Sequence, residues 1–258
     1  EEIQSIPVPN IPEFDEEEIL KSEKELLGFY VTGHPLLQYA DVIKSLSTIK
    51  LNALEHLDDN VGVRFGGMIG NITRKTTKKD GKPYFIVEVE GLDGSAECMM
   101  YERAIASINS QGMQLEKGKV VFFEAISSKR DVGEKARLII ESVHEFQEAM
   151  ANYTAEILIF SDSDMISREK LERLKKLNLD FPGTASRVVF GITPVDNPGR
   201  IIYVETGILV TASPEYIRGV EEIFGAKKCK LKGNDRLPKV RMRGNWAPKN
   251  ANTAEASS

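Results

Sequence analysis

The stretch from Val61 to Gln147 constrains the fold most, because it reads as five strands with a single helix after the third. VGVRFGGMIGNITRKT is long and interrupted at Gly66–Gly67, where missing side chains let a strand bend or bulge. KKDGK has turn chemistry, and PYFIVEVEG follows as a strand bounded by Pro83 and Gly91. After the turn LDG, SAECMM alternates Ala96, Cys98 and Met100 with other residues. YERAIASINSQGM has helical spacing through Ala104, Ile105 and Ile108 and stops at Gly112. GKVVFFEAISSKR and ARLIIESVHEF complete the set around the polar turn DVGEK. This order predicts a five-stranded OB-fold β-barrel. A ferredoxin-like sheet would need a helix after the first strand, and the residues between Arg74 and Tyr84 are too few and too polar for one.

The totals allow more than one unit. A chain of 258 residues with 41% hydrophobic and 28% charged residues has room for two cores. Cys98 and Cys229 lie far apart without ligand-like spacing; Cys98 reads as a small buried hydrophobe, which suits a reducing cytoplasm. No apolar run approaches the roughly 20 residues that a membrane helix needs, and no signal-peptide pattern is present. The first residue is Glu, so a piece of a longer or processed polypeptide is expected. The net charge of −5 hides a gradient, from nine acids and two lysines in residues 1–25 to nine Lys or Arg against Asp235 and Glu255 from Ala226 onward.

Four segments follow: an extended and helical connector (1–57), the OB-fold nucleic-acid-binding domain (58–150), a small α/β C-terminal domain (151–233) and a basic flexible tail (234–258). The overall class is α+β and multi-domain. In the connector, Asp15 and Glu18 have capping-box spacing before Ile19, Leu20, Leu26, Leu27 and Tyr30. The pattern breaks at Gly33–His34–Pro35 and restarts as a helix through Leu36, Leu37, Tyr39, Val42, Ile43 and Leu46.

EKELLGFYVTGHPL, from Glu23 to Leu36, resembles the segment that precedes the OB domain in the alpha (polymerase) subunit of bacterial DNA polymerase III. In that family a charged helix runs into L-G-x-Y-x-x-G-H-P-L, and an OB-fold and a small α/β domain follow. The resemblance covers about Phe14 to Leu231. It implies the non-catalytic C-terminal region of that subunit, with the barrel holding single-stranded template DNA and the last domain docking the tau subunit of the clamp loader. The parent enzyme is a nucleotidyltransferase whose catalytic carboxylates belong to a palm domain outside this stretch. Residues 10–36 hold no glutamine-led apolar-aromatic pentapeptide, so the sliding clamp is not an expected partner of this segment.

OB barrels bind along the second and third strands and through two long loops. Loop one presents Arg74, Lys75, Lys78, Lys79 and Lys82 against Asp80; loop two offers Lys129, Arg130, Lys135 and Arg137 against Asp131 and Glu134. Cations on neighbouring fingers can follow a phosphate backbone and release counterions. Charged hairpin tips are also ordinary solvated turns. Arg64 on the first strand and Tyr84 on the second join the candidate set. If Phe85, Val87 and Val89 point inward, Tyr84, Ile86, Glu88 and Glu90 face out; one ring and two repelling glutamates predict weak, sequence-indifferent contact or a barrel used partly to dock protein.

Beyond EFQEAMANY, EILIF is a buried-type strand, SREKLERLKKLNL a helix with Leu171, Leu174 and Leu177 inward, and FPGT a turn. SRVVFGITPV and RIIYVETGILV read as a hairpin. Ser213–Pro214 starts a helix burying Ile217, Val220, Ile223 and Phe224, and CKLKG is a short last strand. Asp162 and Asp164, just before a helix, read as capping residues rather than metal ligands. In the tail, Trp246 between Arg241, Arg243 and Lys249 is a candidate partner-binding anchor.

His34, His56 and His144 are isolated, and no catalytic triad, phosphate-cradling glycine loop or magnesium-binding acid cluster is present in the sequence. No cofactor or metal is expected. Two other binding readings stay open: a tRNA-anticodon-type OB module, and a protein-interaction scaffold whose barrel never touches nucleic acid.

Overall fold

The computed structural model describes Leu26 and residues 33–78, 80–129 and 134–239. Apart from Leu26, the Glu23–Leu36 motif up to residue 32 lies outside the described residues, as do the capping box at Asp15 and the tail beyond Lys239. Five strands, β1 (Gly62–Thr76), β2 (Pro83–Glu90), β3 (Ser95–Met100), β4 (Val120–Ser128) and β5 (Arg137–Glu145), close a barrel in the order β1-β2-β3-β5-β4. A helix, Glu102–Ser110, links β3 to β4. This is OB topology.

The first strand can serve two neighbours because it changes partner along its length. It pairs with β4 from Gly62 to Met68 and with β2 from Met68 to Thr76. The sequence places the bend at Gly66–Gly67, but the irregular step falls between Ile69 and Ile72. The two glycines answer a different need. A Cβ on Gly67 would lie 2.5 Å from Val89 Cγ1, and one on Gly66 would lie 3.0 Å from both Ile43 and Phe122.

Alternation sorts the barrel walls. Val63, Phe65, Val87, Val89, Cys98, Val121, Phe123, Leu138 and Ile140 fill the interior. Burial pushes the Cys98 thiol up to about 12. The outward residues in the first part of β1, Arg64 to Gly70, and Phe122 and Ile126 of β4 are also covered, which explains the unbroken apolar run of VVFF. Their cover comes from the connector and from a helix after the barrel.

Pro35–Tyr39 forms a 3-10 turn capped by His34 Nδ1, which accepts from Leu36 N–H at 3.2 Å, and α1 (Ala40–Leu46) follows. The expected single helix is therefore split into two kinds of turn. With α3 (Phe146–Tyr153; the Glu102–Ser110 helix being α2), these segments bury Leu36, Ile43, Leu46, Met68, Phe122, Met150 and Tyr153 in one cluster. Residue 150 falls inside α3.

The second sheet has the order β8-β7-β6-β9, built from β6 (Thr154–Asp162), β7 (Pro182–Thr193), β8 (Ile202–Val210) and β9 (Cys229–Gly233). β6 and β7 are parallel and joined through α4 (Arg168–Asp180); β7 and β8 form the expected hairpin. With α5 (Pro214–Phe224), α4 covers a core of Ile157, Ile159, Leu174, Val188, Phe190, Val220 and Phe224. Ser213 caps α5, its hydroxyl accepting from Tyr216 N–H at 3.1 Å.

Three local expectations change. FPGT is not a turn: Pro182 and Gly183 open β7, and a Cβ on Gly183 would sit 2.3 Å from the Val210 carbonyl carbon. The α4 cap is Ser167, accepting from Lys170 N–H at 3.2 Å, so Asp162 and Asp164 cap nothing on that helix. Leu171 is 43% exposed while Leu174 is buried, because the helix turns its inward stripe toward Leu174 and Leu177.

Arg64 joins the two halves. The sequence puts it on a nucleic-acid surface, but it is 1% exposed on the covered outer wall of β1. Its Nε donates to Leu46 O at 2.7 Å, Nη1 to Asn234 Oδ1 at 3.1 Å and Arg236 O at 3.0 Å, and Nη2 to Asn234 O at 2.9 Å. The guanidinium carbon stands 4.2 Å from the centre of the Tyr153 ring. Desolvation lowers its pKa from the ordinary value, opposed by Tyr153, Glu124 and Asp235. Removing this side chain strands three carbonyls, so Arg64→Ala should cost about 3–5 kcal/mol in urea unfolding, the range for breaking a buried charged network. Arg64→Lys should recover little of it, because an ammonium cannot make the fork.

Candidate nucleic-acid interface

With the first part of β1 and much of β4 covered, the open wall of the barrel is β2 and β3 with the second half of β1 and the adjoining part of β5. Residues directly opposite each other on neighbouring strands share a face, so pairing sorts this wall into rows. At the loop-one end, Lys75 pairs with Tyr84, and Tyr101 follows β3 with its ring 5.6 Å from the Tyr84 ring at 28°. The next row is Thr73, Ile86, Met99 and Ile139. Beyond it Glu88 stands opposite Glu97, and Glu90 lies opposite Ser95. The wall lines a cleft of about 1110 Å³ with Glu134, Lys135 and Arg137 on its far rim. It is basic and aromatic at one end, apolar in the middle and rich in carboxylates at the other, where His34, Lys135 and Arg137 also line the cleft.

Loop one is a closed turn. Thr77 N–H donates to Lys82 O at 2.9 Å, Lys82 N–H donates to Thr77 Oγ1 at 3.0 Å, and Gly81 takes a left-handed φ of 65°. The Thr77 hydroxyl donates to Asp80, which lowers that carboxyl's pKa. Arg74, Lys75 and Lys78 are exposed, with no ion pair among the described residues. Lys82 donates to Glu102 Oε2 at 2.7 Å, and that hydrogen bond raises its pKa. Lys79 lies outside the described residues.

Loop two divides. Lys129 is drawn back to the connector, its N–H on Asp59 Oδ1 and its ammonium on Glu55 O, both at 2.8 Å. Lys135 and Arg137 reach the cleft rim. Arg130 and the tail residues Arg241, Arg243 and Trp246 lie outside the described residues. Of the sequence candidates, then, Arg74, Lys75, Lys78, Lys82 and Tyr84 share one end of the wall, Lys135 and Arg137 the other rim, and Arg64 neither.

Tyr101 is a candidate site residue that sequence reasoning misses, because the helical spacing that follows absorbs it. The signal is present nonetheless: Ala96, Cys98 and Met100 point inward, so continued alternation turns Tyr101 outward beside Tyr84. Among the described residues no group of three or more His, Cys, Asp or Glu could hold a metal, and no helix is long and apolar enough to cross a membrane.

No family model matches the chain. It is similar to DNA polymerase III alpha subunits: 25% identical over 223 residues to that of Mycobacterium tuberculosis, covering 86% of this chain and 18% of the relative. The Thermus aquaticus subunit is 26% identical over 187 residues, 71% of this chain and 15% of its own, and that of Treponema pallidum is 33% identical over 93 residues, 36% and 8%. The chain thus spans less than a fifth of these relatives' length. Among solved structures, a mitochondrial single-stranded DNA binding protein from S. cerevisiae matches 34% of this chain and 97% of its own at 17% identity and TM-score 0.29. The second OB-fold domain of replication protein A from Methanococcus maripaludis matches 38% and 93% at 11% identity and TM-score 0.26.

The stacked tyrosines should be energetically coupled. A double-mutant cycle of Tyr84→Ala and Tyr101→Ala, read by urea unfolding, is expected to give a coupling of about 0.5–1.5 kcal/mol, and additivity would mean the rings merely lie near each other.

Proposed function

We propose that this chain is a non-catalytic part of a replicative DNA polymerase III alpha subunit, working in the cytoplasm, and that its barrel holds single-stranded DNA. The observation that carries the reading is the end of the open wall where Lys75, Tyr84 and Tyr101 stand beside Arg74, Lys78 and Lys82. Two ring faces can stack bases of any sequence, and exposed cations on a pinned turn can meet the neighbouring phosphates. The similarity to the alpha subunits supplies the replication setting. Lys79, Lys135, Arg137 and, through their loop, Lys129 and Arg130 would add weaker phosphate contacts.

Fluorescence titration of the intact chain with labelled single-stranded oligonucleotides tests this. Tyr84→Ala or Tyr101→Ala should weaken binding by about 1–3 kcal/mol. Arg74, Lys75 and Lys78 changed together to alanine should flatten the dependence of log affinity on log salt by about 0.7 for each phosphate no longer neutralised. An unchanged slope with unchanged affinity removes this end of the wall from any nucleic-acid site. Preference for a tRNA anticodon stem-loop over DNA would favour the anticodon-type module instead.

A docking role for the second sheet is favoured by β8. It is an edge strand, and Ile202, Tyr203, Val204, Ile208 and Leu209 along it are all exposed. An unpaired edge with apolar side chains on both faces is a template for an added strand. Its one acid, Glu205, lies 3.6 Å from Arg187 and so repels an incoming strand little. The resemblance makes the clamp-loader tau subunit the partner to test. Val204→Lys should abolish tau capture while leaving oligonucleotide binding intact; retained capture would exclude this edge.

A further inference from the structure

We propose that a pocket between α1, β1 and the β2–β3 turn docks an acidic segment of a partner protein through one large apolar side chain. The pocket has a volume of about 560 Å³ and shares no lining residue with the cleft of the open wall. The proposal therefore goes beyond nucleic-acid binding and does not depend on it. Ile43, Leu51 and Phe65, each at most 4% exposed, form the floor, and the partly buried Ile49 and Leu92 form the walls. Three stretches build the pocket, and hydrogen bonds pin them to one another. The loop after α1 runs along β1: Thr48 N–H donates to Arg64 O at 2.8 Å, Arg64 N–H to Thr48 Oγ1 at 2.9 Å and Gly66 N–H to Ser47 Oγ at 3.1 Å. On the other side Leu51 N–H donates to Asp93 Oδ1 at 3.1 Å. A Cβ on Gly91 would lie 2.8 Å from Leu51 Cδ1, so the β2–β3 turn closes tightly on the same loop. A site held in place this way needs little ordering to receive a side chain, which lets a small contact contribute useful affinity.

Charge decides the occupant. Lys44 and Lys50 are exposed in the lining, and neither has an ion pair among the described residues. The one acid of the lining, Asp93, is turned to the Leu51 amide. An apolar hollow beside two cations suits a large aliphatic or aromatic side chain flanked by carboxylates, and it opposes a basic segment through like-charge repulsion. Nucleic acid fits less well. Phe65, the single ring in the lining, is 1% exposed, so the pocket opens no aromatic face on which a base could stack.

Two acetylated, amidated tetrapeptides, Asp-Glu-Asp-Phe and Lys-Arg-Lys-Phe, serve as probes, titrated into the intact chain and followed by amide chemical shifts. The acidic peptide should shift the amides of Ser47, Thr48, Gly66 and Asp93 saturably. The basic peptide, or the acidic one with Ala in place of Phe, should bind about tenfold more weakly or worse. The Lys44→Glu/Lys50→Glu variant should reverse the preference and take the basic peptide about tenfold more tightly than the acidic one. A reversal cannot come from misfolding, which would weaken both peptides alike. Equal binding of the two peptides by the parent chain, an unchanged preference in the variant, or shifts confined to other amides would overturn the proposal. So would a single-stranded oligonucleotide that displaces the acidic peptide from these amides, which would assign the pocket to nucleic acid. Binding that appears only once residues 1–25 are deleted would assign it to the chain's own acidic N-terminal stretch and overturn it equally. Neither Tyr84 nor Tyr101 lines this pocket, so failure here leaves the oligonucleotide titrations untouched, and the reverse holds.

Discussion

The four hydrogen bonds of the Arg64 guanidinium hold together parts of the chain that are far apart in sequence. They tie the end of α1, the outer wall of β1 and the segment after β9 into one site, with the Tyr153 ring as its floor. A buried guanidinium is tolerable only because nearly every donor has an oxygen, and it makes each of those oxygens dependent on it in turn. Around it the cluster of Leu36, Ile43, Leu46, Phe122, Met150 and Tyr153 closes one wall of the barrel. Neither the barrel nor the second sheet could lose this layer without exposing Phe122, Met68 and Leu46 to water.

That layer also decides where function can be. A closed barrel has no edges, and the first part of β1 and much of β4 are covered here, so the wall of β2 and β3 faces solvent. Its outward residues follow from alternation alone, and they grade from Lys75 and the tyrosines to Glu88, Glu90 and Glu97. The acidity is confined to the outward register of β2 and β3, since their inward register is Val87, Val89, Ala96 and Cys98.

The barrel is legible in the sequence because period-two patterning and turn chemistry are local. So are the β7–β8 hairpin and the Ser213 cap. What is not legible depends on cover. Arg64 follows Val63 and precedes Phe65, so alternation rightly sends it out of the barrel, but only the tertiary structure reveals that this outside is buried. The hint lies elsewhere, in Val120 to Phe123, whose unbroken apolar run needs two covered faces. Gly66 and Gly67 look conformational in the sequence and are steric in the fold, a distinction that needs the approaching Ile43 and Val89 atoms. Lys129 looks like any loop cation until Glu55 and Asp59 are brought beside it.

The grading of the open wall limits what it could hold. Successive rows on one face lie about 7 Å apart along the strands, close to the spacing of stretched nucleotides. The tyrosine row and the apolar row could therefore seat one or two bases, and a third phosphate would meet Glu88 and Glu97. Such a contact would be short, sequence-indifferent and weak alone. In a longer polypeptide that grips the same strand elsewhere, weakness is compatible with use, because tethering replaces intrinsic affinity by effective concentration. A strongly basic wall would instead hold the strand against every movement of the chain along it. The acid row would thus act as a stop for a bound polyanion, limiting how far along the wall it could extend.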